Sequence, residues 1–332
     1  MSNTRTNTLY NVLKGGCMGV AEVIPGVSGG TIAFITGIYE RLINAIKALD
    51  MQAIRLLFSF KLGAFFKKID GFFLVSLAFG MVIGIGIGVL GIGHLLENYP
   101  APVWGFFFGL IVASAIYIGN QIEKWDVKIL LSVFIGFAVA FGITYLSPTE
   151  GSGNLIWVFL CGCIAISALI LPGVSGSFIL LLLGMYTVVR NAAEVVIKEQ
   201  ELSSIILLFT FAMGCGVGLI SFARVMSYGF KNYRNLTLAL LTGFMLGSLR
   251  KIWPWRNVDS YLNKESGEIV NVVGNATNMP EEVQILSERL VSPALYDGDP
   301  LTVVTIVCLL GGFLILMGFT YLDMKGKNKI EG

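Results

Sequence analysis

AEVIPGVSGGTIAFITGIYERLINA, residues 21–45, returns as ALILPGVSGSFILLLLGMYTVVRNA at residues 168–192. Ala21, Pro25, Gly26, Val27, Ser28, Gly29, Gly37, Tyr39, Asn44 and Ala45 recur without a gap. Apolar composition alone would not hold Pro, Ser, Tyr and Asn in register. The match extends outward from this core. Gly80 and Gly84 fall on Gly214 and Gly218, Asn98 and Tyr99 on Asn232 and Tyr233, Gly109 on Gly243 and Ser114 on Ser248. Gly136, Phe137, Gly142, Thr144, Tyr145 and Leu146 later meet Gly312, Phe313, Gly318, Thr320, Tyr321 and Leu322. The chain therefore reads as a duplication, residues 1–146 and 147–332, with a polar insert of about 251–300 in the second copy. Internal repeats of this kind are typical of transporter folds.

Composition sets the medium. The chain is 55% hydrophobic and 13% charged, about half the charge of a soluble domain. Its apolar blocks, 71–95, 103–118, 129–146, 205–226, 236–249 and 301–322, are near the ~20 residues that a helix needs to cross a bilayer. The polar first eight residues carry no pattern of a cleaved signal peptide. A net charge of +2 gives no reason to expect a nucleic-acid partner. The five cysteines, Cys17, Cys161, Cys163, Cys215 and Cys308, lie in apolar segments. They read as small hydrophobes, with no metal site and no cofactor implied.

The broken segments set the topology. If each spans the membrane, a half crosses four times and the repeats are parallel. If each dips in and returns, a half crosses three times and the repeats are inverted. Cytoplasmic loops carry the Lys/Arg excess. With re-entrant segments the basic run from Arg41 to Lys68 lies on the side of the N-terminus, together with Lys124, Lys128, Lys231, Arg234 and Lys325. The expected fold is an all-α polytopic membrane protein with two inverted-topology repeats. Each repeat is a re-entrant helical hairpin broken at PGVSG (10–46 and 154–192) plus three transmembrane helices. Both termini would be cytoplasmic. The segment 51–68, apolar with interspersed basic residues, suits an interfacial helix. Trp253 and Trp255 suit an aromatic belt at the other side.

At the break, Pro25 and Gly26, like Pro172 and Gly173, interrupt the helix. Non-helical backbone at membrane depth is tolerated only where buried in protein or facing a water-filled cavity. A new helix is expected to start at Ser28 or Gly29 and run to Ile46. Its first N–H groups would favour an anion. Ser28, Gly29, Gly30 and Thr31, with Ser175, Gly176 and Ser177 of the second copy, are the candidate anion-binding residues. Hairpins entering from opposite faces would bring these tips together. Arg224 and Arg250 could reach a phosphate, or snorkel to an interface. The bland reading of PGVSG is a kink that packs tightly.

Glu22 precedes the first break in an apolar run, where its repeat partner is Leu169. Intramembrane carboxylates are rare and often serve proton relays, so Glu22 is the candidate for proton coupling. A pairing with Lys14 or with a backbone group is the structural alternative. Gly26-Val-Ser-Gly29 also resembles the serine motif of intramembrane rhomboid proteases, but such a serine needs a base. The one histidine, His94, is not duplicated with the serine, so no enzyme is expected.

These motifs, together with the later LTGFMLGSLRKIWPW of 241–255, resemble the PopT polyprenyl-phosphate transporter family from about residue 11 to 322. Its motif residues fall on Glu22, Pro25, Gly26, Ser28, Gly29, Gly30 and Thr31, and on Pro172, Gly173, Ser175, Gly176 and Ser177. The resemblance implies a flippase for undecaprenyl (polyprenyl) phosphate in the bacterial inner, cytoplasmic membrane. Its role would be recycling of the carrier lipid for cell-wall glycan synthesis. In that role, and in its hairpins, it is similar to DedA-type flippases. The implied partners are the polyprenyl phosphate and membrane lipids, and self-association stays open. Phe34 and Phe178 could line an opening for the lipid tail. A small-anion channel or exchanger using the same tips is the alternative that the residues alone leave standing.

Overall fold

The computed structural model describes residues 2–24, 28–146, 148–149, 151–263, 269–272 and 283–328. Pro25 and Gly26 lie outside them. The fold is mostly helical. In the first half, α1 (Ser2–Val23) leads to α2 (Gly29–Ile35) and α3 (Tyr39–Lys47). Two short helices follow, α4 (Met51–Phe58) and α5 (Leu62–Lys68). Then come α6 (Gly71–Ile87), α7 (Gly93–Asn98), α8 (Pro100–Gly119) and α9 (Val127–Ile143). The second half opens with α10 (Leu155–Ile170), α11 (Gly176–Leu182) and α12 (Met185–Lys198). It continues with α13 (Leu202–Asn232), α14 (Arg234–Ser248) and, after the insert, α15 (Thr302–Asn328).

Among the described residues, length and composition make three helical stretches sufficient to cross a membrane: Gly71–Asn98, Pro100–Gly119 and Leu202–Asn232. Val127–Ile143, Leu155–Ile170 and Thr302–Gly318 are shorter apolar helices. Large side chains such as Phe72, Val82, Leu90, Val127, Phe209 and Val303 stand exposed along them. In water that much exposed apolar surface would be a liability. Against lipid tails it is a solvent-matched face.

Helix pairing follows the glycines. The Val12 carbonyl occupies the place of a β-carbon on Gly80, the Gly16 carbonyl that of one on Gly84, and Val20 lies against Gly88. So α1 and α6 touch backbone to backbone and run in the same direction. The second half repeats this, with Phe159 on Gly214 and Cys163 on Gly218, so α10 and α13 are also parallel. The remaining seams join the halves. Thr305 meets Gly105 and Leu309 meets Gly109, pairing α15 with α8. Gly136 meets Leu240 and Gly247 meets Phe137, pairing α14 with α9. Small residues let such backbones approach and gain contact where lipid leaves little hydrophobic drive.

Three expectations need correction. The helix after the first tip does not run to Ile46. It stops after seven residues, because Gly37 adopts a positive φ of 69°, and α3 starts anew. Gly184 has the same φ of 69°, and the chain bends by 100° between α11 and α12. That left-handed turn suits glycine, which is why both copies keep it. The segment 51–68, expected as one interfacial helix, is two helices. Asp50 caps the first, accepting from Ala53 N at 2.9 Å and from Lys68 Nζ at 2.9 Å. Met51, Phe58, Phe60 and Leu62 are exposed on the pair.

Finally, the fold is not all-α. The insert forms a three-stranded antiparallel sheet, order β2-β1-β3, from β1 (Arg256–Asn263), β2 (Ile269–Asn271) and β3 (Val283–Leu290). Open sheet edges are excluded from hydrocarbon, so a sheet is consistent with a segment outside it. The sheet is tied to the helices by Trp253 Nε1 donating to Val291 O at 3.0 Å and Trp255 Nε1 to Pro300 O at 2.9 Å. Buried Asn257 donates to Leu295 O at 2.9 Å.

Gly84→Val should force the α1–α6 seam apart and cost about 1–3 kcal/mol. Gly86→Val, where nothing lies within 4 Å of an added β-carbon, should change stability by less than about 0.5 kcal/mol. Thermal unfolding of both variants in detergent checks the contrast.

Candidate functional site

Two broken helices leave backbone groups without intrahelical partners, and among the described residues the structure shows where several of them go. At the first tip, Gly29 N donates to Glu22 Oε1 at 2.7 Å and Gly30 N to Ser28 Oγ at 3.1 Å. Ser28 Oγ in turn donates to Leu169 O at 2.9 Å, across to the second copy. Gly173 N donates to Thr31 Oγ1 at 3.0 Å in the return direction. Ile170 O lies where a β-carbon on Gly30 would be. Ser28 and Thr31 are fully buried. The two tips are thus in direct contact, each supplying a hydroxyl or carbonyl that the other needs.

A side chain already fills the first tip. The Glu22 carboxyl group takes the place at the start of α2 that the sequence reading offers to phosphate. Lys14 does not supply the partner for Glu22 seen here. Its Nζ donates to Thr36 O at 2.7 Å, closing the end of α2.

The second tip differs. Its counterpart of Glu22 is the apolar Leu169. Ser175 Oγ lies 2.9 Å from Ser177 Oγ and accepts from Phe178 N at 3.4 Å. Ser175 and Gly176 are buried, whereas Ser177 is exposed at the rim. Beside it is a cleft lined by Thr144, Gly173, Ser175, Phe178, Ser248 and Lys251, among others. About 20 Å³ of it is open, room for about one water molecule.

Two cations border this cleft. Arg250 Nη1 donates to Thr144 O at 2.9 Å and to Thr144 Oγ1 at 3.1 Å, and its guanidinium lies 3.7 Å from the centre of the Tyr145 ring. Lys251 Nζ lies 4.8 Å from the centre of the Phe178 ring and 2.8 Å from Glu288 Oε2. Burial alone would raise the Glu288 carboxyl, but Arg256 and Lys251 outweigh it and hold the group below its usual range.

Sequence reasoning named Arg250 but missed Lys251, Ser248 and Glu288. Ser248 carried a signal, since it repeats Ser114. Lys251 read as a loop residue, and Glu288 sits in an insert with no motif. Arg224 stands apart from the tips, exposed on α13. One turn on, Ser227 binds Asn44 Oδ1 and Lys47 Nζ, each at 3.0 Å, at the far end of α3. Phe34 is buried against Tyr39 and Phe230, so it lines no opening, whereas Phe178 lines the cleft. His94 neighbours Asn98, 3.2 Å from its ring nitrogen, while the Ser28 hydroxyl is committed to Leu169.

A profile of the VCA0040-like, undecaprenyl phosphate translocase-like family matches residues 18–270. A polyprenyl-phosphate transporter of Vibrio cholerae is 43% identical over 270 residues, covering 81% of this chain and 85% of its own. One of Staphylococcus aureus is 33% identical over 258 residues, covering 74% and 86%. No solved structure matches significantly.

Thr31→Val keeps the shape of the first tip but leaves the buried Gly173 N–H unpaired. It should lower stability by about 1–3 kcal/mol, read as a lower Tm in detergent. Thr31→Ser, which keeps the acceptor, should restore most of it.

Proposed function

Since the chain belongs to the VCA0040-like, undecaprenyl phosphate translocase-like family, we propose that it carries a polyprenyl phosphate across the bacterial cytoplasmic membrane. The observation that carries this reading is the second-tip cleft. It gathers hydroxyls and two cations where the two broken segments touch. A bare phosphate in hydrocarbon faces a solvation penalty of tens of kcal/mol. Its transfer needs a short polar route through protein, with the apolar tail left in the lipid. Ser175, Ser177, Ser248 and Thr144 offer hydroxyls for that route, and Arg250 offers a planar fork. Ser28, Gly29, Gly30 and Thr31 serve it from behind, by fixing the neighbouring tip.

The inverted arrangement with re-entrant tips is part of the same proposal. Parallel packing of α1 on α6 supports it, because the chain between them must return to the side where α1 began. The same holds for α10 and α13. Pairing of α8 with α15 and α9 with α14, again in parallel, supports a second half oriented oppositely to the first. The basic run 41–68 then faces the cytoplasm with both termini.

Glu22 is the proposed proton-coupling residue. As an anion it fixes Gly29 N and the first tip. Protonation weakens that charge-assisted bond and frees the first tip to move off the second. The cleft must widen for a phosphate to enter, so a charge that unlocks the tips is a means of coupling. A small-anion channel would also use basic clefts, but no observation favours it, and both relatives are named for a lipid phosphate.

The test is movement of a polyprenyl phosphate in liposomes, read by its accessibility to external phosphatase. The wild type should equilibrate the lipid between leaflets without conducting chloride. Chloride conductance without lipid transfer overturns the reading. Glu22→Gln should bind lipid but lose the pH dependence of transfer, and an unchanged pH profile removes Glu22 from coupling. Joint replacement of Ser175 and Ser177 by Ala should slow transfer about tenfold or more, by loss of two hydrogen bonds to the charged headgroup.

A further inference from the structure

The insert brings a carboxylate to the cleft from outside the helical bundle. Glu288 on β3 lies 2.8 Å from Lys251 Nζ and 3.0 Å from Arg256 Nη1. Arg256 is the more fixed of the two cations. Its side chain is 8% exposed, donates also to Lys251 O and lies 4.3 Å from the centre of the Trp104 ring. Lys251 is more open, its side chain 28% exposed, and it alone of the pair lines the cleft. Glu288 therefore keeps a partner when Lys251 leaves.

The charges at this place do not balance. Lys251, Arg256 and Arg250 are positive and Glu288 is negative. Arg250 donates to a carbonyl and a hydroxyl and lies over an aromatic ring, and the one carboxylate whose charge it feels, Glu288, is shared with Arg256 and Lys251. A group with two negative charges offsets the surplus, and a phosphate monoester is such a group. The flexible four-carbon stem of lysine can swing its ammonium between two acceptors without a backbone change.

Resting on the function proposed above, we propose that Lys251 grips the phosphate of the transported lipid, and that Glu288 of the sheet is the internal anion for which that phosphate is exchanged. On arrival the phosphate takes Lys251 from Glu288, and Glu288 stays on Arg256. On departure the ion pair re-forms and closes the mouth of the cleft. The insert thereby supplies a tethered competitor. It keeps the cation of the empty cleft paired, and it weakens binding enough for release.

Binding of farnesyl phosphate to the full chain in nanodiscs tests this, with farnesol and inorganic phosphate as parallel probes and lipid transfer in liposomes as the second readout. Lys251→Gln should weaken farnesyl phosphate binding about tenfold or more, and Lys251→Arg should retain it. Glu288→Gln should tighten binding several-fold while slowing release, and that gain should vanish in the Lys251→Gln background, as coupled residues require. Wild-type binding by Lys251→Gln overturns the proposal, as does a Glu288→Gln gain that persists without Lys251. Should Glu288→Gln fail to fold because Arg256 loses its partner, Lys251→Gln still decides, since it leaves Glu288 and Arg256 paired. Transfer by the wild type with an unaffected Lys251→Gln sinks the exchange alone. Inorganic phosphate bound as tightly as farnesyl phosphate, with no lipid transfer, sinks the lipid reading beneath it.

Discussion

The rest of the structure depends on one constraint. Backbone N–H and C=O groups released by two breaks inside an apolar protein must find partners within it. They find them in each other. Ser28 reaches Leu169 O, Gly173 N reaches Thr31 Oγ1, and Glu22 closes the start of α2. The first two of these bonds cross between the two copies of the duplicated sequence. Neither tip is satisfied alone, so the halves must meet at this point. Helices α8 and α14 pack at the meeting point, α8 against α2 and Met245 of α14 against Gly173.

Close contact also explains why the tips are built from small residues. Side chains larger than glycine at Gly30 would collide with the Ile170 carbonyl. The same economy governs the helix seams. Gly80, Gly84, Gly214 and Gly218 let the first helix of each half lie directly on the next. A rigid seam around tips held by few hydrogen bonds is a sound arrangement for a carrier.

The duplication is not kept where charge is concerned. Glu22 stands opposite Leu169, while Arg250 and Lys251 stand opposite Ile116 and Tyr117. One tip carries its own carboxyl group and the other lies near two cations. Two equal anion sites, as the repeat by itself suggests, would leave the substrate two equivalent places to rest. The sheet adds a second carboxylate, Glu288, on the cationic side.

The repeat, the breaks and the membrane class were legible in the sequence because each is a local pattern. A Pro-Gly pair stops a helix wherever it stands, whereas the turn at Gly37 was missed, because a lone glycine leaves a helix open until packing fixes its φ. The resemblance carried by PGVSG gave the family as well. The partner of each freed backbone group could not be read, because hydrogen bonds between residues 28 and 169, or 31 and 173, depend on how distant segments pack. Length along the chain says nothing about them. The sheet escaped for a similar reason, since short polar strands with little alternation become strands only when paired. Lys251 and Glu288 were ordinary loop charges until folding put them 2.8 Å apart. The sequence alone determined that this chain breaks its helices twice in an apolar setting. Only the tertiary structure decided that one break is closed by Glu22 and the other left beside cations, because charge complementarity acts through space and not along the chain.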